Sequence, residues 1–199
     1  MTAIVVPFRG DRGKQRLDAS EELRAQLALA MLGDVLAACV ATTRTIVVTA
    51  DPRAKSLADE LGAEFCADPG GGQGQAVSAA LAYLPDEPVL VVNADVPCVA
   101  PHDLRTLAGP AKLGAIGLVE AEDGTTNALA LPGPSAFAPL YGARSAARFR
   151  EHASAIGVDA VSAAIPNLAD DVDTLADLER LRFRAAPRTQ EVAALLKRP

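Results

Sequence analysis

Tryptophan is absent from this sequence and aromatic residues make up only 4% of it, although half of all residues are apolar. The core must then be built mainly from small and branched aliphatic side chains, which suits helices packed on a sheet. Cysteine is scarce too: Cys39, Cys66 and Cys98 are odd in number and form no C-x-x-C pair, so neither a disulfide framework nor a zinc site is indicated, and a reducing cytoplasm fits best. Only two histidines occur, and His102 beside Pro101 reads as a surface residue at a helix start. No H-E-x-x-H pattern, nucleophile elbow or serine triad is in evidence. Basic charge is in deficit, 19 Lys and Arg against 25 Asp and Glu, so nothing in the composition replaces the counterions of a nucleic acid polymer. A single nucleotide remains a feasible ligand. Long apolar runs are missing: the stretch from Ala3 to Pro7 is too short for a signal peptide, and no run approaches the ~18 residues of a membrane span. The expectation is a cytoplasmic protein without a membrane partner.

What is present alternates between strand and helix patterns. Ala3–Pro7 reads as a buried strand, followed by a polar, basic loop from Phe8 to Asp18. Asp18 and Glu21 resemble a capping box, and Leu23, Leu27 and Met31 mark a helix face reaching about Ala38. Further strands are expected at Arg44–Thr49, Glu64–Cys66, Val89–Pro97, Leu113–Glu120, Asn127–Leu131 and Ala160–Ile165. Helices are expected from Pro52 to Gly62, Ala76 to Leu84, Pro101 to Ala108, Ser145 to Ile156, Thr174 to Arg184 and Thr189 to Lys197. The alternation breaks at Asp123-Gly124, a hairpin turn. The predicted class is therefore α/β, a single domain over residues 1–199 with a mostly parallel central sheet, one antiparallel element and helices on both faces.

Two acidic strand ends stand out. The Val89–Val92 run carries no polar break and then stops at Asn93, Asp95 and Pro97, which places a carboxylate where open α/β sheets bind ligands. Asp171 and Asp173 follow a second strand-like run, which suggests a divalent metal shared with Asp95. Asp68-Pro69-Gly70-Gly71-Gly72, with Gln75 close behind, lies at a strand-to-helix junction, where a backbone can approach an anion. It matches neither the Walker pattern nor G-x-G-x-x-G. Carboxylates for Mg²⁺, a glycine loop and the cations Arg9, Lys14 and Arg16 are together the parts that phosphorus chemistry needs.

In order along the chain, Pro7 with Lys14-Gln15-Arg16-Leu17, Asp68 to Gly72, Asn93 to Pro97, Gly124 to Leu129, Tyr141-Gly142 with Ser145 and Arg148, and Asp171 to Thr174 resemble the guanylyltransferases of deazaflavin coenzyme F-420 biosynthesis. Those are similar in fold to the molybdenum-cofactor guanylyltransferases. The resemblance covers nearly the whole chain. It implies a Rossmann-like nucleotidyltransferase that joins GTP to a three-carbon phosphate acid, phosphoenolpyruvate or 2-phospholactate, and releases pyrophosphate. It also implies Mg²⁺ on Asp95, Asp171 and Asp173, a phosphate contact at Lys14, and an acid site at Asn127, Gly142 and Ser145 with Arg148 as anion clamp. Two positions depart from the family pattern: Arg9 stands where a lysine is common, and Gln73-Gly74-Gln75 replaces Leu-Asn, with Gln75 able to reach the same acceptor. The bidentate acceptor that guanine N1–H and its 2-amino group call for is expected at Asp68.

Two rival readings remain open on sequence alone. Asp171-Val172-Asp173 has the D-x-D form of GT-A-type sugar-nucleotide transferases, although it lies near the C-terminus and the N-terminal loop lacks the G-x-G-T-R of sugar pyrophosphorylases. A non-catalytic nucleotide sensor would need fewer acidic ligands. The identity of the three-carbon acid, which could also be 3-phosphoglycerate, and the oligomeric state, for which a homodimer is one arrangement, are not legible.

Overall fold

The computed structural model describes residues 3–10 and 19–195. Among the described residues seven strands, β1 (Ala3–Pro7), β2 (Thr45–Thr49), β3 (Glu64–Ala67), β4 (Val89–Val92), β5 (Ile116–Glu120), β6 (Thr126–Leu131) and β7 (Ala160–Ser162), form one sheet in the order β3-β2-β1-β4-β6-β5-β7. β1 pairs in parallel with β2 and β4, β2 with β3, and β5 with β7. β6 alone runs against its neighbours β4 and β5, because the tight turn after β5 leaves no room for a crossover. In that turn Gly124 has φ +81°, and Asp123 Oδ1 accepts from the Thr125 amide at 2.9 Å and its hydroxyl at 2.6 Å. The expected hairpin is therefore present.

The helices are α1 (Glu21–Val40), α2 (Pro52–Leu61), α3 (Gln73–Leu81), α4 (Pro101–Lys112), α5 (Ser145–Ala155), α6 (Pro166–Ala169), α7 (Leu175–Leu181) and α8 (Pro187–Leu195). Successive side chains of β1 serve opposite faces of the sheet, as the period of two requires. Ile4 and Val6 pack with Leu32 and Leu36 of α1, Ala54 of α2 and Leu104 of α4. Ala3 and Val5 pack with Val77 and Leu81 of α3 and Phe149 of α5. A strand buried on both faces cannot alternate with polar residues, which is why β1, β2 and β4 read as unbroken apolar runs.

Several boundaries differ from the expected ones for identifiable reasons. Ser20 caps α1 by accepting from the Leu23 amide at 3.3 Å, while Asp18 lies outside the described residues. α1 is long and apolar enough by length and composition to suit a membrane crossing, yet two-thirds of that window is buried within the protein, the mark of a core helix. Its polar Asp34 is buried because both carboxylate oxygens cap α8, accepting from the amides of Arg188 at 3.2 Å and Thr189 at 2.8 Å. α4 runs through Gly109-Pro110 to Lys112 rather than stopping at Ala108. β7 ends at Ser162, and α6, which the sequence pattern does not announce, follows at Pro166. β4 ends at Val92, and the Asn93 amide continues the ladder by donating to the Asn127 carbonyl at 2.9 Å.

Candidate functional site

The chain leaves β1 toward β2 and β3 on one side, then returns to place β4 on the other side of β1. This reversal opens a crevice beyond the C-terminal ends of β1 and β4, the position at which open α/β sheets bind ligands. A cavity of about 260 Å³ occupies it, lined by Pro7, Phe8, Arg9 and Gly10 after β1 and by Asn93, Ala94 and Asp95 after β4. Gln73 of α3 closes one side. Arg9 and Gly10 also line a second cavity of about 480 Å³ that reaches over β2 and β3 to Thr49, Asp51, Arg53, Asp68 and Gly70.

Asp95, Asp171 and Asp173 are brought together although the first and second lie 76 positions apart in sequence. One carboxylate oxygen from each lies within 4.8 Å of the other two. The local cause is Val172. Its side chain is fully buried among Leu27, Met31, Cys98 and Leu178, and its amide donates to the Asp95 carbonyl at 3.0 Å. In an extended segment the residues on either side of a buried one face the opposite way, so Asp171 and Asp173 are both turned toward Asp95. Asp170 belongs elsewhere: its two oxygens accept from Arg180 and Arg184, each at 2.7 Å. Burial and the facing Asp95 charge push the Asp171 carboxyl up to about 6, with Asp173 adding to the shift and a hydrogen bond from Asn127 opposing it. Three hard oxygen donors that repel one another at this spacing suit a small divalent cation such as Mg²⁺.

The three glycines of the loop before α3, Gly70, Gly71 and Gly72, all have left-handed φ values between +79° and +105°. Only glycine adopts such a run without strain. Gly74 answers a different need, since a Cβ there would lie 2.6 Å from Pro139 Cβ and 2.9 Å from its Cα. α3 starts at Gln73, three residues earlier than expected, and this changes which glutamine reaches the site. Gln73 lines the first cavity and its Nε2 donates to Asn93 Oδ1 at 2.6 Å, whereas Gln75 is exposed. Gln73, Asn93 and Asn127 were not singled out as a set by sequence reasoning. They form a file of amides ending on Asp171: Asn93 Nδ2 donates to Asn127 Oδ1 at 3.4 Å, and Asn127 Nδ2 to Asp171 Oδ1 at 3.2 Å.

Other expected contacts are arranged differently from the sequence-based expectation. Asp68 lines the second cavity, but its Oδ1 accepts from the Gly70 amide at 2.8 Å. A carboxylate oxygen carries two lone pairs, so Oδ1 can hold that turn while both oxygens remain able to accept from a ligand. Asn127, expected in the acid site, is buried with its amide donating to the Ala169 carbonyl at 3.1 Å as well as to Asp171. Ser145 is fully buried, and its hydroxyl donates to Thr126 Oγ1 at 3.0 Å, so it offers the acid no exposed donor. Arg148 is better placed. Nη2 donates to the Tyr141 carbonyl at 3.0 Å, Nε is buried without a partner among the described residues, and Gly142 beside the guanidinium has a φ of +112°, which favours glycine. Lys14 and Arg16 lie outside the described residues.

A doubly wound sheet with a carboxylate cluster at its switch point and a glycine loop leading into α3 is the architecture of nucleotidyltransferase-like proteins. Among solved structures, a protein from Desulfovibrio desulfuricans described as a nucleotide-diphospho-sugar transferase shares the fold, with a TM-score of 0.76 over 99% of this chain and 95% of that one at 17% identity. The chain belongs to the family described as "Guanylyl transferase CofC like", whose model matches residues 2–187. Its relatives include the phosphoenolpyruvate guanylyltransferase of Streptomyces coelicolor, 38% identical over 97% of this chain and 96% of that protein. That of Conexibacter woesei is 36% identical over 91% of this chain and 86% of that protein. The sugar-nucleotide transferase and sensor readings are not favoured by this membership.

Proposed function

We propose that this protein is a Mg²⁺-dependent guanylyltransferase of F-420 biosynthesis that joins the GMP moiety of GTP to phosphoenolpyruvate, with 2-phospholactate as the alternative acid. The observation that carries the reading is the convergence of Asp95, Asp171 and Asp173 at the switch-point crevice, in a family whose relatives bear the phosphoenolpyruvate guanylyltransferase name.

A phosphate oxygen of the acid attacks the α-phosphorus of GTP, the bond from that phosphorus to the β-bridging oxygen breaks, and pyrophosphate leaves with the electron pair. The attacking oxygen is already ionised at neutral pH, so no protein base and no covalent intermediate is needed. Catalysis is then positioning and charge neutralisation. Asp95, Asp171 and Asp173 would hold the cation, which when bound would supply charge neutralisation at the phosphoryl oxygens. Arg9, Lys14 and Arg16 steady the β- and γ-phosphates, and the backbone of Pro7 and Gly70 to Gly72 lets the nucleotide approach closely. The purine extends into the second cavity, where Asp68 keeps Oδ2 as an acceptor while Oδ1 holds the turn. The acid's carboxylate meets Arg148, whose buried Nε is a donor in want of an acceptor.

Pyrophosphate release from GTP with each candidate acid tests this. Release that requires phosphoenolpyruvate or 2-phospholactate supports the reading. Release that requires a sugar phosphate instead, or none with any acceptor, overturns it.

A further inference from the structure

Gln73, Asn93 and Asn127 stand in file between the first cavity and Asp171, on three different elements: the first residue of α3, the end of β4 and the interior of β6. An amide side chain can point either way, and its orientation is set by its partners. Here one end is fixed. Asp171 as a carboxylate only accepts, as does the Ala169 carbonyl, so Asn127 must turn its NH₂ toward both. Asn127 Oδ1 is then left facing Asn93, which must donate. The Thr126 carbonyl, accepting from the same Asn93 Nδ2 at 3.3 Å, enforces the same sense. Asn93 Oδ1 in turn requires a donor from Gln73, which supplies it at 2.6 Å. Each amide therefore has one permitted orientation, and Gln73 is left with its carbonyl Oε1 uncommitted among the described residues at the wall of the cavity.

We propose that Gln73, Asn93 and Asn127 form a one-way positioning relay that holds the Asp171 carboxylate in its cation-binding orientation, with Gln73 presenting an acceptor to a hydrogen-bond donor of the nucleotide. The proposal rests on the metal-site reading above. None of the three residues is one of the three carboxylate ligands, and Gln73 is two side chains removed from Asp171. The relay couples occupancy of the nucleotide crevice to the geometry of the cation site: a ligand donor on Gln73 Oε1 strengthens the donor on its other side, since hydrogen bonds in a chain polarise one another. Groups that orient a metal ligand typically alter affinity about 10–100-fold when removed, and a residue two links out should act more weakly.

The discriminating substitution is Gln73→Glu, measured as the Kd of Mn²⁺ by electron paramagnetic resonance at pH 8 on the full chain. A negative charge added near three carboxylates would tighten cation binding through Coulomb attraction alone. The relay predicts the opposite sign. A carboxylate at position 73 sets acceptor against Asn93 Oδ1, forcing the file to reverse or break, and the Mn²⁺ Kd should rise roughly threefold or more. Gln73→Met, which removes the donor without adding an acceptor or a charge, should fall between wild type and Gln73→Glu. A Kd for Gln73→Glu equal to or tighter than wild type overturns the relay. If Gln73→Glu fails to fold, as judged by circular dichroism, Gln73→Met alone decides: a raised Kd supports the relay and an unchanged one overturns it. Wild-type protein that binds no Mn²⁺ overturns the metal site itself, an outcome distinct from failure of the relay.

Discussion

Asp171→Asn isolates the cost of assembling three carboxylates without a cation. In the metal-free protein the Asp171 carboxyl is raised from an ordinary value near 3.8 to about 6, first by burial and then by Asp95. The folded state therefore holds the proton more tightly than the unfolded chain. The sign follows: the stability associated with this group is fully present below about pH 3.8 and is lost as pH rises through about 6. A shift from 3.8 to about 6 corresponds to about 3 kcal/mol at pH 8 if the group were dry. Asp171 is half-buried, so screening reduces the expected gain on neutralisation to about 1–2 kcal/mol. For a chain of this size that is a rise in Tm of roughly 2–8 °C. The Asn carbonyl can still accept from Asn127, so the local hydrogen bond survives. Calorimetry in EDTA should show Asp171→Asn more stable than wild type at pH 8, with the difference disappearing near pH 4. Added Mg²⁺ should raise the wild-type Tm and leave the variant unmoved. A metal-free variant no more stable than wild type at pH 8, or a difference independent of pH, would refute the account of a repelling cluster.

Three other substitutions test the packing and the acid site. Gly74→Ala forces a methyl group against Pro139 and should cost about 1–3 kcal/mol by thermal melting; an unchanged Tm would show that α3 can shift freely. Asp34→Ala leaves the Arg188 and Thr189 amides uncapped, and should lower stability by about 1–2 kcal/mol while hydrogen exchange in α8 accelerates ahead of the rest of the chain. Arg148→Met should raise the KM for the acid roughly ten- to hundredfold and that for GTP much less, the effect of losing a charged hydrogen bond. Equal changes in both would place the anion clamp elsewhere.

The strands that frame the site were legible because burial on both faces leaves an unbroken apolar run, and the end of the run at Asn93 and Asp95 marks the crevice. The acidic pair was legible for a related reason: one apolar residue between two acids in an extended segment puts both on the same side once Val172 is buried. Its proximity to Asp95 could be suspected but not measured, because it depends on a backbone hydrogen bond between segments distant in sequence. Gln75 was singled out from the family pattern, but α3 starts three residues earlier than expected, so it is Gln73 that lines the cavity while Gln75 is exposed. Ser145 was named from the family resemblance alone, and its burial against Thr126 was not legible because polar residues buried against one another carry no periodic signal. Asp34 did carry one, a single carboxylate within an apolar helix, and the helix end it caps lies about 150 residues away in sequence.

The most direct test of the guanylyltransferase account is mass spectrometry of the product formed from GTP, phosphoenolpyruvate and Mg²⁺ by wild-type protein and by Asp95→Asn. The expected result is a GMP–phosphoenolpyruvate adduct and pyrophosphate in equal amounts from the wild type, abolished by EDTA and by Asp95→Asn in a variant that remains folded. An adduct that forms undiminished with Asp95→Asn or without a divalent cation, or no adduct with any three-carbon phosphate acid, would contradict it.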